Sequence, residues 1–504
     1  MNKLLLGVVA LVAISTQGLA ATYLDPALNG FLNQRSAQTT RIVALLKYPT
    51  NLPAPRRYDG PSVKKYLIQM YQASVKSIAG TIQASPNDIK VVEQLWINNS
   101  LALDVTPNGL RTLTQNPIVE KIYANRKVVY SQPVAVRPAR ISRDIMDYTY
   151  GLKDIGIDKL NTERPDIQGQ GVFVGLVDTG IDGKHPALQG KVPVFYDPTA
   201  NKLTEPFDRQ SHGTHTAGTI LGGDRESIKI GVAPKAKMIG SAALDGYDKM
   251  LKAMQFMLDP DSNPNTNDSP RLVSNSWNAE GAPDIELFYR AITAWEAAGI
   301  LPVFSAGNAG PGAKTITTPH EHPAVIAVGA TDSNFKIASF SSRGPGIFKG
   351  QTIQKPDFTA PGVNVLSTIP GGRYEEMSGT SMACPHAAGI ATLLFQVNPK
   401  FTPQNIREVM MKTLRFVDVN GNSINTPAWN ASYGFGRLDA YAAVKAALGT
   451  VNRTLFSAGF NAVQLASTSV MMDSKLVDIE DQVYGVSDIT EPYSTDIAKW
   501  SVVK

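Results

Sequence analysis

The chain has 504 residues, which is too long for one hydrophobic core and indicates two to four folded units. With 43% hydrophobic and 18% charged residues, the composition is that of an ordinary globular protein. The single cysteine, Cys384, excludes an intrachain disulfide, and beyond the N-terminus no stretch is long and apolar enough for a transmembrane helix.

The first twenty residues differ from the rest of the chain. Lys3 precedes the apolar run Leu4–Ile14, and a short polar stretch then leads to Ala20. This pattern predicts a secretory signal peptide, residues 1–20, because the apolar run is too short to span a bilayer. We therefore expect a secreted protein, extracellular or periplasmic, with no stable membrane span.

Charge is distributed unevenly along the chain. Residues 21–143 contain 16 Lys and Arg against 6 Asp and Glu, a net charge of +10, whereas residues 144–504 carry −6. The two parts are either solvated separately or docked together with charge steering their encounter, and we favour docking. The basic residues are scattered and form no recognised motif, so no nucleic-acid partner is expected.

Residues 21–143 predict a small α+β domain. Its order β-α-β-β-α-β is typical of a ferredoxin-like fold. The elements are a strand at Arg41–Tyr48, a helix at Ser62–Ile82, a strand or hairpin at Val91–Val105, a helix from Thr106 to Thr114 and a strand at Val119–Val129. The following segment, Ser131–Arg143, is rich in proline and arginine and indicates an exposed, cleavable linker.

Beyond residue 155 the pattern becomes α/β, which implies a mostly parallel sheet covered by helices on both faces. Strands are predicted at Val172–Val177, Leu272–Ser276, Leu301–Ser305 and Ala324–Gly329. Helices are predicted at His212–Leu221, Pro283–Ala298, Ser381–Val397 and Ala440–Leu448. Residues 450–504 form an extension to which no fold or role is assigned.

Three motifs in this region carry the residues of a nucleophilic site. They are Val177-Asp-Thr-Gly-Ile-Asp182, His212-Gly-Thr-His-Thr-Ala-Gly218 and Gly379-Thr-Ser-Met-Ala-Cys-Pro-His386. The order Asp178, His212, Ser381 is that of subtilisin rather than of chymotrypsin or the α/β-hydrolases. Over roughly residues 150–449 the chain therefore resembles the subtilisin-like serine peptidases.

The resemblance implies a three-layer α/β sandwich for residues 144–449 and a role for each motif residue. Ser381 would be the nucleophile, His212 the general base and Asp178 the group that orients the imidazole. Asn308, in Ser305-Ala-Gly-Asn308, matches the family's oxyanion donor. No cofactor is expected for catalysis. Residues 21–143 resemble the inhibitory propeptide of many subtilases, a transient partner that is cut off.

The predicted substrate pocket has four residues. Ser274-Asn-Ser-Trp-Asn278 resembles the family's pocket wall, usually Ser-Leu-Gly, so Ser276 would line the pocket while Trp277 and Asn278 change its rim. Thr317 corresponds to a position at the pocket floor that is often glycine, and a β-branched side chain there would shorten the pocket. We expect small or medium apolar residues at P1.

One loop predicts a structural calcium site. Asp259-Pro-Asp-Ser-Asn-Pro-Asn-Thr-Asn-Asp268 places oxygen ligands at alternate positions, with Asp259, Asp261 and Asn263 as candidate ligands. A polar loop without metal is the alternative. A second family calcium loop would fall at Asp224–Ser227, where Arg225 puts it in doubt. The pair His320 and His322 is only a weak metal signal.

The remaining histidines and the cysteine are expected to be structural. His215 and His386 belong to the motif helices, His185 to a loop, and Cys384 lies one helical turn after Ser381.

The sequence thus predicts a secreted serine endopeptidase, made as a zymogen and acting on proteins or peptides. Three alternatives stay open: an esterase or acyltransferase using the same triad, an inactive protease retained as a binding module, and a recruiting role for residues 451–504.

Overall fold

The structure, a computed structural model, describes residues 22–49, 52–130, 133–138, 147–223, 228–243, 245–279 and 285–450. Three predictions fall outside these residues: the signal peptide at 1–20, the second calcium loop at Asp224–Ser227 and any structure in residues 451–504.

Residues 22–130, called here the N-terminal unit, form a sheet covered by helices. Its strands and helices are β1 (Tyr23–Leu24), α1 (Asn29–Leu32), β2 (Thr40–Leu46), α2 (Gly60–Gln83), β3 (Ile89–Leu95), β4 (Ser100–Val105), α3 (Pro107–Thr114), β5 (Val119–Ala124) and β6 (Val128–Tyr130). The sheet order is β1-β5-β2-β4-β3. Strand β2 pairs antiparallel with β4 and β5, and β3 pairs antiparallel with β4. From β2 to β5 the connectivity is the predicted β-α-β-β-α-β.

Local signals in the sequence fix the two main helices of this unit. The Asp59 side chain accepts a hydrogen bond from the Ser62 backbone N–H at 3.1 Å and caps α2, which has proline in its first turn. Thr106 caps α3 in the same way through Gly109 N–H. Both helices then bury one apolar face on the sheet.

The prediction of one strand at Val119–Val129 was wrong. The strand stops at Ala124, and a separate strand, β6, begins at Val128. Whereas β5 belongs to the sheet of the N-terminal unit, β6 leaves that sheet and pairs with the larger unit. The predicted strand Val119–Val129 therefore corresponds to two strands that belong to different sheets.

The larger unit (residues 147–450), with the preceding strand β7, contains the main parallel sheet. Its elements are β7 (Ala135–Pro138), β8 (Asp147–Tyr148), α4 (Tyr150–Asp154), α5 (Ile157–Glu163), β9 (Phe173–Asp178), β10 (Val194–Asp197), β11 (Lys202–Leu203), α6 (His212–Leu221), β12 (Ile228–Lys229), β13 (Lys237–Ala242), α7 (Tyr247–Leu258), β14 (Leu272–Asn275), β15 (Trp277–Ala279), α8 (Glu286–Ala297), β16 (Leu301–Ser305), β17 (Ile326–Thr331), β18 (Gly346–Phe348), β19 (Gln351–Ile353), β20 (Phe358–Pro361), β21 (Val365–Ile369), β22 (Arg373–Ser378), α9 (Thr380–Val397), α10 (Pro403–Lys412) and α11 (Ala440–Thr450).

The main sheet has the order β11-β10-β13-β9-β14-β16-β17-β20 and is parallel apart from the edge strand β11. Alternate residues of a strand face opposite sides: Val174 and Leu176 pack with α6 and α9, whereas Val177 packs with α7 and α8. Helices thus cover both faces, and the predicted three-layer α/β sandwich is confirmed.

The two units dock on the α7 and α8 side of the sandwich. Apolar side chains of the N-terminal unit, among them Val63, Leu67 and Ile97, belong to the same buried cluster as Trp295 of α8. The favoured interpretation of the charge asymmetry, docking, agrees with this arrangement. No helix in the described part of the chain combines the length and hydropathy needed to cross a membrane.

Candidate active site

Three polar side chains lie at the carboxyl-terminal edge of the main sheet. Asp178 is the last residue of β9, His212 the first of α6 and Ser381 the second of α9. All three are at most 1% exposed. Parallel strands end at one edge of their sheet, where the following helices begin, so the fold brings the three motifs to one edge.

The histidine and the aspartate are directly bonded. His212 Nδ1 donates to Asp178 Oδ1 at 2.7 Å, and the Thr179 backbone N–H donates to the same oxygen at 2.7 Å. The carboxylate therefore fixes the tautomer that carries its proton on Nδ1. His212 Nε2 is buried and has no hydrogen-bond partner among the described residues, so it is the nitrogen able to take a proton.

Asn308 is held close to the start of α9. Its side-chain oxygen accepts hydrogen bonds from Thr380 N–H at 2.9 Å and from Thr380 Oγ1 at 2.8 Å. A Cβ atom at Gly379 would lie 3.3 Å from Asn308 Nδ2, so glycine leaves room for the amide. With its oxygen fixed, the amide presents its NH₂ group beside the backbone that carries Ser381.

A strand of the N-terminal unit lies along one side of this site. Strand β6 pairs antiparallel with β15, with Tyr130 opposite Trp277 and Val129 opposite Asn278. The rings of Tyr130 and His212 have their centroids 4.7 Å apart. The N-terminal unit therefore reaches the imidazole itself with the last side chain of β6.

The chain continues on the other side of the site. Val134 N–H donates to Ser378 O at 2.7 Å, and β7 then runs antiparallel to β22. Because β22 ends three residues before Ser381, the chain between Tyr130 and Val134 connects two strand pairings that flank the candidate nucleophile.

The structure places the predicted pocket residues as follows. Ser276 Oγ is 3.4 Å from Ser381 O, and Asn278 is partly exposed beside β6. Thr317 lies next to Gly307, where an added Cβ would be 2.8 Å from Thr317 Oγ1. The Trp277 side chain is fully buried, and its Nε1 donates to Asn275 Oδ1 at 2.9 Å, while its effect on the pocket rim stays a prediction. The P1 preference stays a prediction.

Comparison with known proteins agrees with this geometry. The subtilase family model matches residues 169–436, which is more than half of the chain and includes the three motifs. The chain belongs to the subtilase family. Serine protease AprX of Bacillus subtilis (strain 168) is 32% identical over 388 residues, a stretch that covers 70% of this chain and 83% of AprX.

The chain spans only part of the length of two further relatives. Bacillopeptidase F of Bacillus subtilis (strain 168) is 32% identical over 388 residues, which cover 70% of this chain but only 26% of that protein. The crystal structure of fervidolysin from Fervidobacterium pennivorans superposes with a TM-score of 0.58 at 23% identity and covers 84% of this chain and 63% of that one. The structural likeness shows a shared fold.

The other histidines of the subtilase are buried and structural. His215 Nε2 bonds the carbonyls of Val365 and Glu375, each at 3.0 Å, and burial lowers the pKa of His215 to about 3. Burial likewise lowers the pKa of His386 to about 4. His185, predicted to be a loop residue, is buried as well.

The weak metal signal at His320 and His322 has no support in the structure. His320 bonds Trp277 O and Thr317 Oγ1, so both of its ring nitrogens are engaged. Burial lowers the pKa of His322 to about 3. Neither histidine belongs to a cluster of metal-ligating side chains close enough to hold an ion, within the part of the chain that the structure describes.

Cys384 is buried beneath the site, as predicted. Its sulfur lies 3.6 Å from Asn275 O and from Ser274 Oγ, and burial raises the pKa of the thiol to about 12. The thiol is therefore protonated at physiological pH and is a packing residue rather than a second nucleophile.

The predicted calcium loop brings three carboxylates close together, and one of them was not among the predicted ligands. Oxygens of Asp259, Asp261 and Asp268 all lie within 4.8 Å of one another. The side-chain oxygen of Asn263, a predicted ligand, instead accepts hydrogen bonds from Asn265. The sequence prediction left out Asp268, and calcium binding itself stays a prediction.

Proposed function

We propose that the chain is an exported serine endopeptidase made as a zymogen, in which the N-terminal unit occupies the active site until it is cut. Family membership supports the endopeptidase activity on protein substrates. The signal-like pattern of residues 1–20 supports export.

The proposed reaction uses the residues gathered at the sheet edge. Ser381 Oγ attacks the peptide carbonyl while His212 Nε2 takes the hydroxyl proton, and Asp178 stabilises the imidazolium that forms. The oxyanion is held by Asn308 Nδ2 and the Ser381 backbone N–H. The imidazolium then protonates the leaving amine, and a water molecule hydrolyses the acyl-enzyme by the same steps in reverse.

One observation carries the zymogen proposal. The chain enters the site as β6 paired with β15, with Tyr130 against His212, and leaves it as β7 paired with β22. Both sides of the nucleophile are thus occupied by one continuous chain in extended pairing. The bond that is cut would lie between Tyr130 and Val134, inside the predicted cleavable linker or at its start.

The activity is tested with matched amide and ester substrates. We expect the mature protein to hydrolyse peptide anilides and casein. Ser381→Ala, freed of its N-terminal unit by wild-type enzyme that is then removed, should have a kcat lower by about six orders of magnitude, as after nucleophile loss in subtilisin. Ser423→Ala, a serine in an exposed loop, is the control and should leave the rate unchanged. Hydrolysis of simple esters without any cleavage of peptides would replace this proposal with the esterase alternative.

A further inference from the structure

His320 is a buried side chain beside the predicted substrate pocket, and the proposed reaction gives it no role. It is 0% exposed. Its Nε2 lies 2.7 Å from the carbonyl oxygen of Trp277, in the predicted pocket wall, and its Nδ1 lies 3.0 Å from Thr317 Oγ1, at the predicted pocket floor. One imidazole ring therefore bridges two sides of the pocket.

The two bonds determine which ring nitrogen of His320 carries the proton. A carbonyl oxygen only accepts hydrogen bonds, so Nε2 carries a proton and donates it to Trp277 O. Burial lowers the pKa of His320 to about 4, so the ring is neutral at physiological pH and Nδ1 carries no proton. Nδ1 is therefore an acceptor, and the Thr317 hydroxyl donates to it.

This hydrogen bond holds Thr317 in one side-chain orientation. A Cβ atom added to Gly307 would lie 2.8 Å from Thr317 Oγ1 and 3.2 Å from Thr317 Cγ2, so both branches of the threonine face the same space. Gly307 precedes Asn308, the proposed oxyanion donor, so this space adjoins the place proposed for the substrate carbonyl. A hydroxyl that turned away would leave the buried Nδ1 of His320 without its donor, which is unfavourable.

The neighbours of His320 hold the ring and its loop in place. Thr318 Oγ1 donates to Glu321 Oε1 at 2.9 Å, and the Tyr289 hydroxyl donates to the same oxygen. The Phe304 ring packs against the imidazole, with the two centroids 5.3 Å apart. Support of this kind keeps a bridging side chain in one position.

We propose that His320 is a positioning residue that sets the P1 specificity of the peptidase, because it ties the pocket floor at Thr317 to the pocket wall at Trp277. The inference rests on the proposed function, since it concerns the pocket of that same site. A floor that is held in place keeps the pocket short, and a larger P1 side chain must break the tie to enter. The tie therefore discriminates against large P1 residues such as phenylalanine.

The two bonds of His320 can be removed one at a time. A glutamine amide nitrogen takes the place of Nε2, so His320→Gln should keep the bond to Trp277 and lose the bond to Thr317. An asparagine oxygen takes the place of Nδ1, so His320→Asn should keep the bond to Thr317. His322→Gln is the matched control, because His322 is buried in the same loop but bonds Thr293 Oγ1 of α8, at 3.3 Å, rather than a predicted pocket residue.

The measurement is kcat/KM of the mature enzymes on two peptide anilides that differ only in having alanine or phenylalanine at P1. We expect His320→Gln to raise the ratio of phenylalanine to alanine about fivefold over wild type, the factor that corresponds to one hydrogen bond of about 1 kcal/mol. His320→Asn and His322→Gln should keep the wild-type ratio. Because each ratio is taken within one protein, a loss of stability or of active enzyme does not change it.

A wild-type ratio in His320→Gln would overturn the proposal, and so would an equal rise in His322→Gln. Should His320→Gln not fold, Thr317→Val decides, since it removes the hydroxyl at a partly exposed position and keeps the branched shape: a raised ratio is expected, and an unchanged ratio refutes the tie. An active wild type with unchanged ratios in the variants refutes this inference alone. A wild type that cuts neither anilide nor casein refutes the proposed function, and this inference with it.

Discussion

At the scale of single residues, the arrangement around Asn308 links the helix start to the proposed oxyanion site. The side-chain oxygen of Asn308 is held by two hydrogen bonds from Thr380, so its amide group is oriented before any substrate binds. An amide fixed in advance stabilises developing charge without a cost of reorganisation. The family resemblance predicted roles for Asn308 and Ser381, but it did not reveal the contacts of Thr380, because hydroxyl contacts depend on the folded backbone.

Replacing this amide should affect the chemical step. Asn308→Ala is expected to lower kcat by about 10²- to 10³-fold with little change in KM, the loss found for the equivalent donor of subtilisin. Steady-state kinetics on enzyme matured by a trace of wild type would measure it, with exposed Asn420→Ala as control. A rise in KM with unchanged kcat would assign Asn308 to substrate binding instead.

At the scale of elements, the short strands β6 and β7 connect the two units through the active site. Each has few residues, yet each pairs with a strand of the larger unit next to the proposed nucleophile. The sequence pattern merged β6 with β5, since periodicity along one chain does not show which sheet a strand joins. The helices α6 and α9, which begin at the His212 and Ser381 motifs, were predicted to within one residue.

The contact between Tyr130 and His212 should help to hold the cut N-terminal unit in place. Tyr130→Ala removes the ring, a contact worth about 0.5–1.5 kcal/mol, and is expected to shorten the delay between cleavage and the appearance of activity. Tyr130→Phe keeps the ring and should behave like wild type. The measurement follows cleavage by gel and activity by a fluorogenic peptide in one time course. Identical delays in all three proteins would rule out this role.

At the scale of the whole molecule, the charge asymmetry explains docking only in part. Arg41 and Lys64 of the N-terminal unit pair with aspartates of the larger unit, in the direction that the net charges predict. Arg290 and Lys249 of the larger unit pair with glutamates in the opposite direction. Net charge therefore describes long-range attraction, whereas the interface depends on individual pairs and a shared apolar cluster.

The sequence predicted the sandwich and the order of elements in the N-terminal unit, because periodicity is a local signal, and the roles of the triad residues stay a prediction. It missed β13 and α7, and it did not show that the Trp277 side chain is fully buried. Lys64 lies in the sequence between Val63 and Leu67, on the buried face of α2. A lysine on the buried face of a helix is unusual, but its partners can be identified only from the folded structure.

The central claim is that Ser381 cuts its own chain at a bond between Tyr130 and Val134. The most direct test is the N-terminal residue of the purified secreted protein, wild type beside Ser381→Ala, checked by intact mass. We expect the wild type to begin within residues 131–134, while Ser381→Ala retains the N-terminal unit. If both proteins begin at the same residue, or if the wild type begins far from this span, the claim is contradicted.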